Sequence, residues 1–203
     1  MIQGSEEWLQ ARVGVVTASN FSKVFTTAGK LSTSREGLIN QLIAENLTGK
    51  PTETFKSDAM QRGNELEATA RMIVEMHLGI SIEEVGLIKM ANHEIGCSPD
   101  GLFDDGKCGV ELKCPLAHTH CAYLRAGKLP STYIQQVQGS MLVLGIDTYI
   151  FSSYHPDMKP FIIEVKRDNK LLELAEPLLI ETADIIKSET LRLRKENDIH
   201  TSS

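Results

Sequence analysis

Asp100, in Ser98-Pro99-Asp100-Gly101-Leu102, and Glu111 with Lys113, in Gly109-Val110-Glu111-Leu112-Lys113-Cys114-Pro115, are the residue types of metal-dependent phosphoryl chemistry. Asp105-Gly106 between them signals a two-residue hairpin turn, because both central residues of a type I′ turn need positive φ and Asp-Gly tolerates this. With that turn Asp104 pairs with Lys107, and counting back along both strands Asp100 faces Glu111. Their Cβ atoms would stand about 4.5–5.5 Å apart. Two carboxylates so close repel unless a cation lies between them or one keeps its proton. Lys113, two residues beyond Glu111 on the same face, supplies one positive charge, and a divalent ion would supply the rest. All-oxygen donors select a hard ion, Mg²⁺ or alternatively Mn²⁺. Such an ion lowers the pKa of a bound water and neutralises charge developing on phosphorus, while the lysine holds the water or the transition state. The competing reading of these residues is a surface hairpin with an Asp, a Glu and a Lys paired across it.

Further polar residues stand where they can join this group. Glu65 and Glu67 share a helix-forming segment ahead of the hairpin, and either one reaches the metal site or remains an exposed helical glutamate. Gln135, Gln136 and Gln138 lie among Tyr133, Ile134, Val137 and Met141, and on residue pattern alone either form a solvated face, the leading reading, or point into a cleft. Arg12 followed by Thr17 and Ser19 puts a guanidinium and two hydroxyls beside an expected helix start with free N–H groups, the chemistry of an anion site that a terminal phosphate would fit. A capping Thr/Ser and a surface Arg explain them equally well. Cys97, Cys108, Cys114 and Cys121 contain no CxxC pair and read first as small buried hydrophobes; the alternatives are disulfides, an iron–sulfur site, and a zinc site on Cys114, His118, His120 and Cys121.

The elements that position these groups follow from periodicity and turn residues. The 203 residues, 41% hydrophobic and 24% charged, suit one folded domain and exclude a disordered chain. The net charge of −6 argues against a DNA-coating protein, though not against a nuclease whose acids hold metal. No apolar run suits a membrane span, and Ser5, Glu6 and Glu7 stand where a signal peptide needs an apolar core, so the expected location is cytoplasmic. Ser5 starts a helix that Gly14 ends, Thr17-Ala18-Ser19 starts a second, and Thr26 to Ser34 reads as mobile. Ser34 caps a helix through Leu38, Ile39, Leu42, Ile43 and Leu47 that Gly49 stops. A longer helix covers about Asp58 to His77. Strands are expected at Val85–Met90, Ile95–Ser98, Gly109–Leu112, Thr148–Tyr154 and Phe161–Lys166, with helices at Ser131–Leu144 and about Leu171–Lys195. The expectation is an α/β (α+β) domain, 1–203, with N-terminal helices (5–78), a catalytic hairpin (94–114), C-terminal helices and strands (131–200), and one mixed central sheet flanked by helices.

The whole pattern resembles the lambda-type exonucleases, the YqaJ viral recombinase family of the PD-(D/E)xK nucleases. The resemblance rests on Glu7-Trp8-Leu9-x-x-Arg12-x-Gly14 with Thr17-Ala18-Ser19, on Gly63-Asn64-Glu65-Leu66-Glu67 with Ala70-Arg71, on Cys97-Ser98-Pro99-Asp100-Gly101-Leu102, on Glu111-Leu112-Lys113-Cys114-Pro115, and on Tyr133-x-x-Gln136-Val137-Gln138. It implies a restriction-endonuclease-like core and a processive 5′ to 3′ exonuclease on linear double-stranded DNA that leaves a 3′ single strand for an annealing protein in phage-type recombination, in the cytoplasm of a bacterial host. It makes Asp100 and Glu111 metal carboxylates, with the Leu112 carbonyl as a further ligand and Glu67, rather than Glu65, as the helical acid. It makes Lys113 the catalytic lysine, Gln136 the residue that helps position the nucleophile, and Arg12, Ser19 and Thr17 the receptor of the 5′-phosphate. A trimeric ring around DNA is implied as well. The alternatives are an endonuclease on the same core and a non-catalytic DNA-end-binding protein.

Overall fold

The computed structural model describes residues 3–52 and 58–201. Helix α1 (Glu6–Ala11) starts where the sequence places it: Ser5 Oγ accepts from Trp8 N at 3.2 Å, and Glu6 and Glu7 complement the positive end of the helix dipole. The helix expected from Thr17 is instead strand β1 (Val16–Thr17) followed by a 3-10 turn, Ala18–Lys23. The reason is a tertiary competitor: Val16 N donates to the Glu94 carbonyl at 2.9 Å and draws this stretch into parallel pairing with β3. The segment expected to be mobile closes as a small hairpin, with Thr26 N donating to the Lys30 carbonyl at 2.8 Å and Phe25 bridging Leu31. Helix α2 (Arg35–Thr48) buries Leu38, Ile39, Leu42 and Ile43 and stops at Gly49 with φ +67°. Ser34 holds the cap position in a helical backbone conformation, so its hydroxyl caps nothing.

Helix α3 (Asp58–Leu78) turns Ala70 and Val74 inward. Strands β2 (Ile88–Lys89), β3 (Ile95–Cys97), β4 (Gly101–Phe103) and β5 (Cys108–Lys113) follow, then α4 (Ala117–Ala126), which periodicity did not single out. A 3-10 turn at Ser131–Tyr133 leads into α5 (Ile134–Leu144), and β6 (Thr148–Ser153), β7 (Phe161–Lys166) and α6 (Asn169–Thr201) complete the chain. The expected central sheet is divided in two mixed sheets, β1-β3-β2 and β4-β5-β6-β7. The chain crosses between them at Ser98-Pro99-Asp100, where Pro99 has no N–H to continue a ladder. Asp100 therefore lies at the junction of the two sheets.

Strands β5 and β6 are the centre of the layers. One face, Val110, Leu112 and Ile150, packs on Val74 of α3 and on Ile82; the opposite face, Tyr149 and Phe151, packs on Val137 and Met141 of α5. Alternation puts Gly109, Glu111 and Lys113 on the α5 side, in register with Tyr149, Phe151 and Ser153. This arrangement requires glycine at 109: a Cβ there would stand 2.2 Å from Tyr149 Cε2, and the Tyr149 ring is fully buried. Gly109→Ala is expected to cost about 2–3 kcal/mol by overpacking, read as a lower midpoint in chemical denaturation at unchanged slope.

Candidate active site

The hairpin that carries the acids has the expected turn. Lys107 N donates to the Asp104 carbonyl at 3.0 Å, Asp105 and Gly106 have φ of +52° and +81°, and the pairs Gly101–Val110, Leu102–Gly109 and Phe103–Cys108 set the register that brings Asp100 to Glu111. Asp100 is further fixed from the strand opposite: its Oδ2 accepts from Leu112 N at 2.6 Å, while its own N donates to the Val110 carbonyl at 3.0 Å.

Glu111 is 1% exposed, and its two oxygens differ. Oε1 accepts from Gln136 Nε2 at 2.5 Å and pairs with Lys113 Nζ; Oε2 is buried with no partner among the described residues. Burial pushes the Glu111 carboxyl up to about 7, with Asp100 adding to the rise and Lys113 opposing it. Burial raises Asp100 too, against Lys113, the Leu112 N–H and Arg71. For Lys113, burial would lower the ammonium, but Glu111 and Asp100 together outweigh it, and the lysine is held above its usual value and stays charged. Its Nζ lies 5.4 Å from the ring centroid of Tyr133, which packs on Phe151 at 5.2 Å.

Among the helical acids, the structure separates Glu67 from Glu65. Glu65 is exposed and accepts from Gln61 Nε2 at 3.2 Å. Glu67 is half-buried, and burial followed by repulsion from Asp100 raises its carboxyl. Arg71 holds Glu67 at 3.0 Å and also pairs with Glu84. Of the three glutamines, none lies on a solvated face. Gln136 reaches Glu111, whereas Gln135 donates to the Phe25 carbonyl at 3.2 Å and Gln138 clasps Lys166 and Asp168.

The second predicted cluster also assembles. Arg12 Nη2 donates to Thr17 Oγ1 and Ser19 Oγ, each at 3.2 Å, and Nη1 donates to Ser98 Oγ at 3.3 Å. The guanidinium lies 4.2 Å over the Trp8 ring, and Trp8 Nε1 donates to the same Ser98 hydroxyl at 3.1 Å. Residue types alone did not give Trp8 and Ser98 these roles. The signals were there: Trp8 is one helical turn before Arg12, Tyr133 stands one turn before Gln136, and Ser98 is two residues from Asp100.

Donor chemistry decides what the acids fit. Two carboxylates raised by burial, one with an orphaned oxygen, are unstable as anions in isolation and suit a divalent cation. Among the described residues no three His, Cys, Asp or Glu side chains close into a metal cluster; Asp100 and Glu111 are the candidate donors, and Glu67 is paired with Arg71. The zinc alternative fails at His120. Its Nε2–H donates to the Lys159 carbonyl at 3.0 Å, which leaves Nδ1 to accept from Ser153 Oγ at 2.7 Å, so both nitrogens are committed. Cys97 and Cys108 are buried as expected of small hydrophobes, Cys114 is half-buried and Cys121 is exposed.

A family model described as the YqaJ-like viral recombinase domain matches residues 7–147. The chain belongs to that family. Solved structures are similar to it as well. LHK-Exo in complex with dAMP superposes with a TM-score of 0.85 at 33% identity, covering 96% of this chain and 98% of that one. A second structure of LHK-Exo, described as an alkaline exonuclease from Laribacter hongkongensis, matches at 34% identity with the same coverage and TM-score. A phage-related exonuclease from Haemophilus somnus 129PT shares the fold, with a TM-score of 0.68 at 18% identity over 88% of this chain and 96% of that one. A search of the curated proteins gives no match. The YqaJ-family fold is thus a mixed α+β core consistent with the restriction-endonuclease-like class, and the family implies a divalent cation in general. No helix among the described residues is long and apolar enough to cross a membrane.

Proposed function

We propose that this YqaJ-family chain is a metal-dependent 5′ to 3′ exonuclease on linear double-stranded DNA, with residues 1–203 acting as one nuclease domain. Family membership and the shared fold support a nuclease acting on DNA. The observation that carries the finer reading is Ser98: its hydroxyl belongs to the Arg12 anion pocket, and two residues later the crossover between the sheets supplies Asp100. Two residues of chain span at most roughly 7 Å. That is the scale of one phosphate-to-phosphate step, so a 5′-phosphate on Arg12, Thr17 and Ser19 leaves the next phosphodiester at the acids. The product would be a mononucleotide, and LHK-Exo has been crystallised with one, dAMP.

Asp100, Glu111 and the Leu112 carbonyl, with Glu67 as a further acid, would hold Mg²⁺, or alternatively Mn²⁺. The chemistry such a cation supplies is neutralisation of charge at the scissile phosphate and acidification of water. Lys113, charged at every working pH, holds the attacking water and stabilises charge on the phosphate oxygens. Gln136 holds Glu111 through Oε1, which would leave Oε2 to the cation. The Tyr133 ring faces the Lys113 ammonium. By family resemblance the product is a 3′ single-stranded overhang for phage-type recombination, passed to a single-strand annealing protein in a bacterial cytoplasm, and the working form is a trimeric ring.

The test is digestion of three duplexes with Mg²⁺: linear with 5′-phosphate, linear with 5′-hydroxyl, and closed circular. Loss of the phosphorylated linear form with the circle intact is expected. Cutting of the circle would assign an endonuclease, and binding of ends without cleavage would assign an end-binding protein.

A further inference from the structure

The geometry points to Arg62 as a second phosphate contact, one that grips a DNA backbone phosphate flanking the scissile one; this deepens the nuclease reading above and rests on it. Arg62 projects from α3 across the C-terminal end of β5, where Nη1 donates to the Cys114 and Pro115 carbonyls, both at 3.2 Å. These are the two residues directly after Lys113. The two Nη1 hydrogens are thereby used, and a guanidinium has five, so Nε–H and the two Nη2 hydrogens remain. They donate to no acceptor among the described residues, and the side chain is half-buried, so it reaches solvent. These bonds place the charge at the end of the strand that carries Glu111 and Lys113.

Charge accounting in the cleft makes this cation distinctive. Lys113 is paired with Glu111, Arg71 is shared by Glu67 and Glu84, and Arg12 is enclosed by hydroxyls in its own pocket. Arg62 forms an ion pair with no carboxylate among the described residues. A chain of net charge −6 with Asp100, Glu111, Glu67 and Glu84 at one mouth repels DNA unless fixed cations offset them at the rim. A guanidinium whose orientation is already set by two carbonyls is pre-organised for a planar, bidentate grip on phosphate oxygens and loses little freedom on binding.

The measurement is duplex affinity by fluorescence anisotropy as a function of NaCl, in the Lys113→Ala background so that the DNA survives, with and without Arg62→Gln. The expected result is about tenfold weaker binding at low salt and a slope of log affinity against log salt shallower by about 0.9, the value for one lost phosphate contact. Arg62→Lys, which keeps the charge but has no planar fork to offer phosphate oxygens beside the carbonyl bonds, is expected to bind more weakly with the parental slope. In the active enzyme Arg62→Gln raises KM about tenfold and leaves kcat within twofold. An unchanged salt slope in Arg62→Gln, or a slope in Arg62→Lys as shallow as that of the glutamine variant, overturns the inference and leaves Arg62 as a clamp on the strand end. Failure of the unmodified chain to bind or cut duplex would instead defeat the nuclease reading itself.

Discussion

Glu111→Gln is expected to lower duplex digestion on the order of 10³-fold and at the same time to flatten the pH dependence of the fold's stability. The loss of rate follows from the position of the carboxylate. Its Oε2 is buried without a partner, and a neutral amide there neither balances Lys113 nor holds a divalent cation. The stability effect follows from burial. An ordinary glutamate titrates near 4.5, and in the native chain Glu111 is pushed up to about 7. Below the lower value both folded and unfolded chains carry the proton, and Glu111 adds no penalty. As pH rises from about 4.5 to 7 the unfolded chain releases its proton while the native chain retains it, so stability falls through that window, by at most about 3 kcal/mol, and the full penalty remains above 7. Metal-free protein should therefore melt at a lower temperature at pH 8 than at pH 5.5, and the difference should shrink in Glu111→Gln. Adding Mg²⁺ should raise the melting temperature of the unmodified chain more at pH 8, where the acids are ionised. Lys113→Ala is the contrasting variant, with a rate loss of about 10²–10³-fold but a retained, steeper fall of stability with pH, because the ammonium that opposes the Glu111 rise is gone. A Glu111→Gln protein with the same pH–stability curve as the unmodified chain would show that this carboxyl is not the buried acid described here.

The same hairpin marks how far the sequence could be read. Asp105-Gly106 is a local signal: positive φ at two successive positions is a property of the residues themselves, and once it is granted the register and the Asp100–Glu111 pair follow. Helix α2 was equally legible, because its apolar repeat and Gly49 act within one element. The departures are long-range. Thr17 lost its helix to a backbone bond from Val16 to Glu94, and no local pattern announces a partner so distant in sequence. The division of the sheet at Pro99 and the roles of Gln135 and Gln138 as clasps are of the same kind, since an amide side chain carries no mark of which carbonyl it will meet. In the site, residue type identified the charged members, whereas Trp8, Ser98 and Arg62 became recognisable only when three segments met. Their value is positional: an indole under a guanidinium, a hydroxyl at a sheet junction, a cation across a strand end.

The Arg12 pocket carries the other large effect. Arg12→Ala is expected to reduce the preference for 5′-phosphorylated over 5′-hydroxyl duplex ends by about 10–100-fold, the value of one or two charge-assisted hydrogen bonds, while the rate on 5′-hydroxyl ends changes little. The guanidinium is fixed on four sides, by Thr17, Ser19, Ser98 and the Trp8 ring, and burial lowers its pKa without removing its charge, with Glu45 favouring the charged form. A phosphate arriving at this group takes up donors that now point at neutral hydroxyls, and those hydroxyls can rotate to donate in turn, so the pocket exchanges weak bonds for ionic ones. Arg12→Lys separates charge from shape. A lysine keeps the charge but can neither stack flat on Trp8 nor reach three hydroxyls at once, so only part of the preference should survive. Ser98→Ala should weaken it as well, because both Trp8 and Arg12 lose their shared acceptor. Competition between the two kinds of end, labelled differently in one tube, reads the preference directly. An unaltered ratio in Arg12→Ala would place the 5′-phosphate elsewhere and remove the reason for digestion to start at that end.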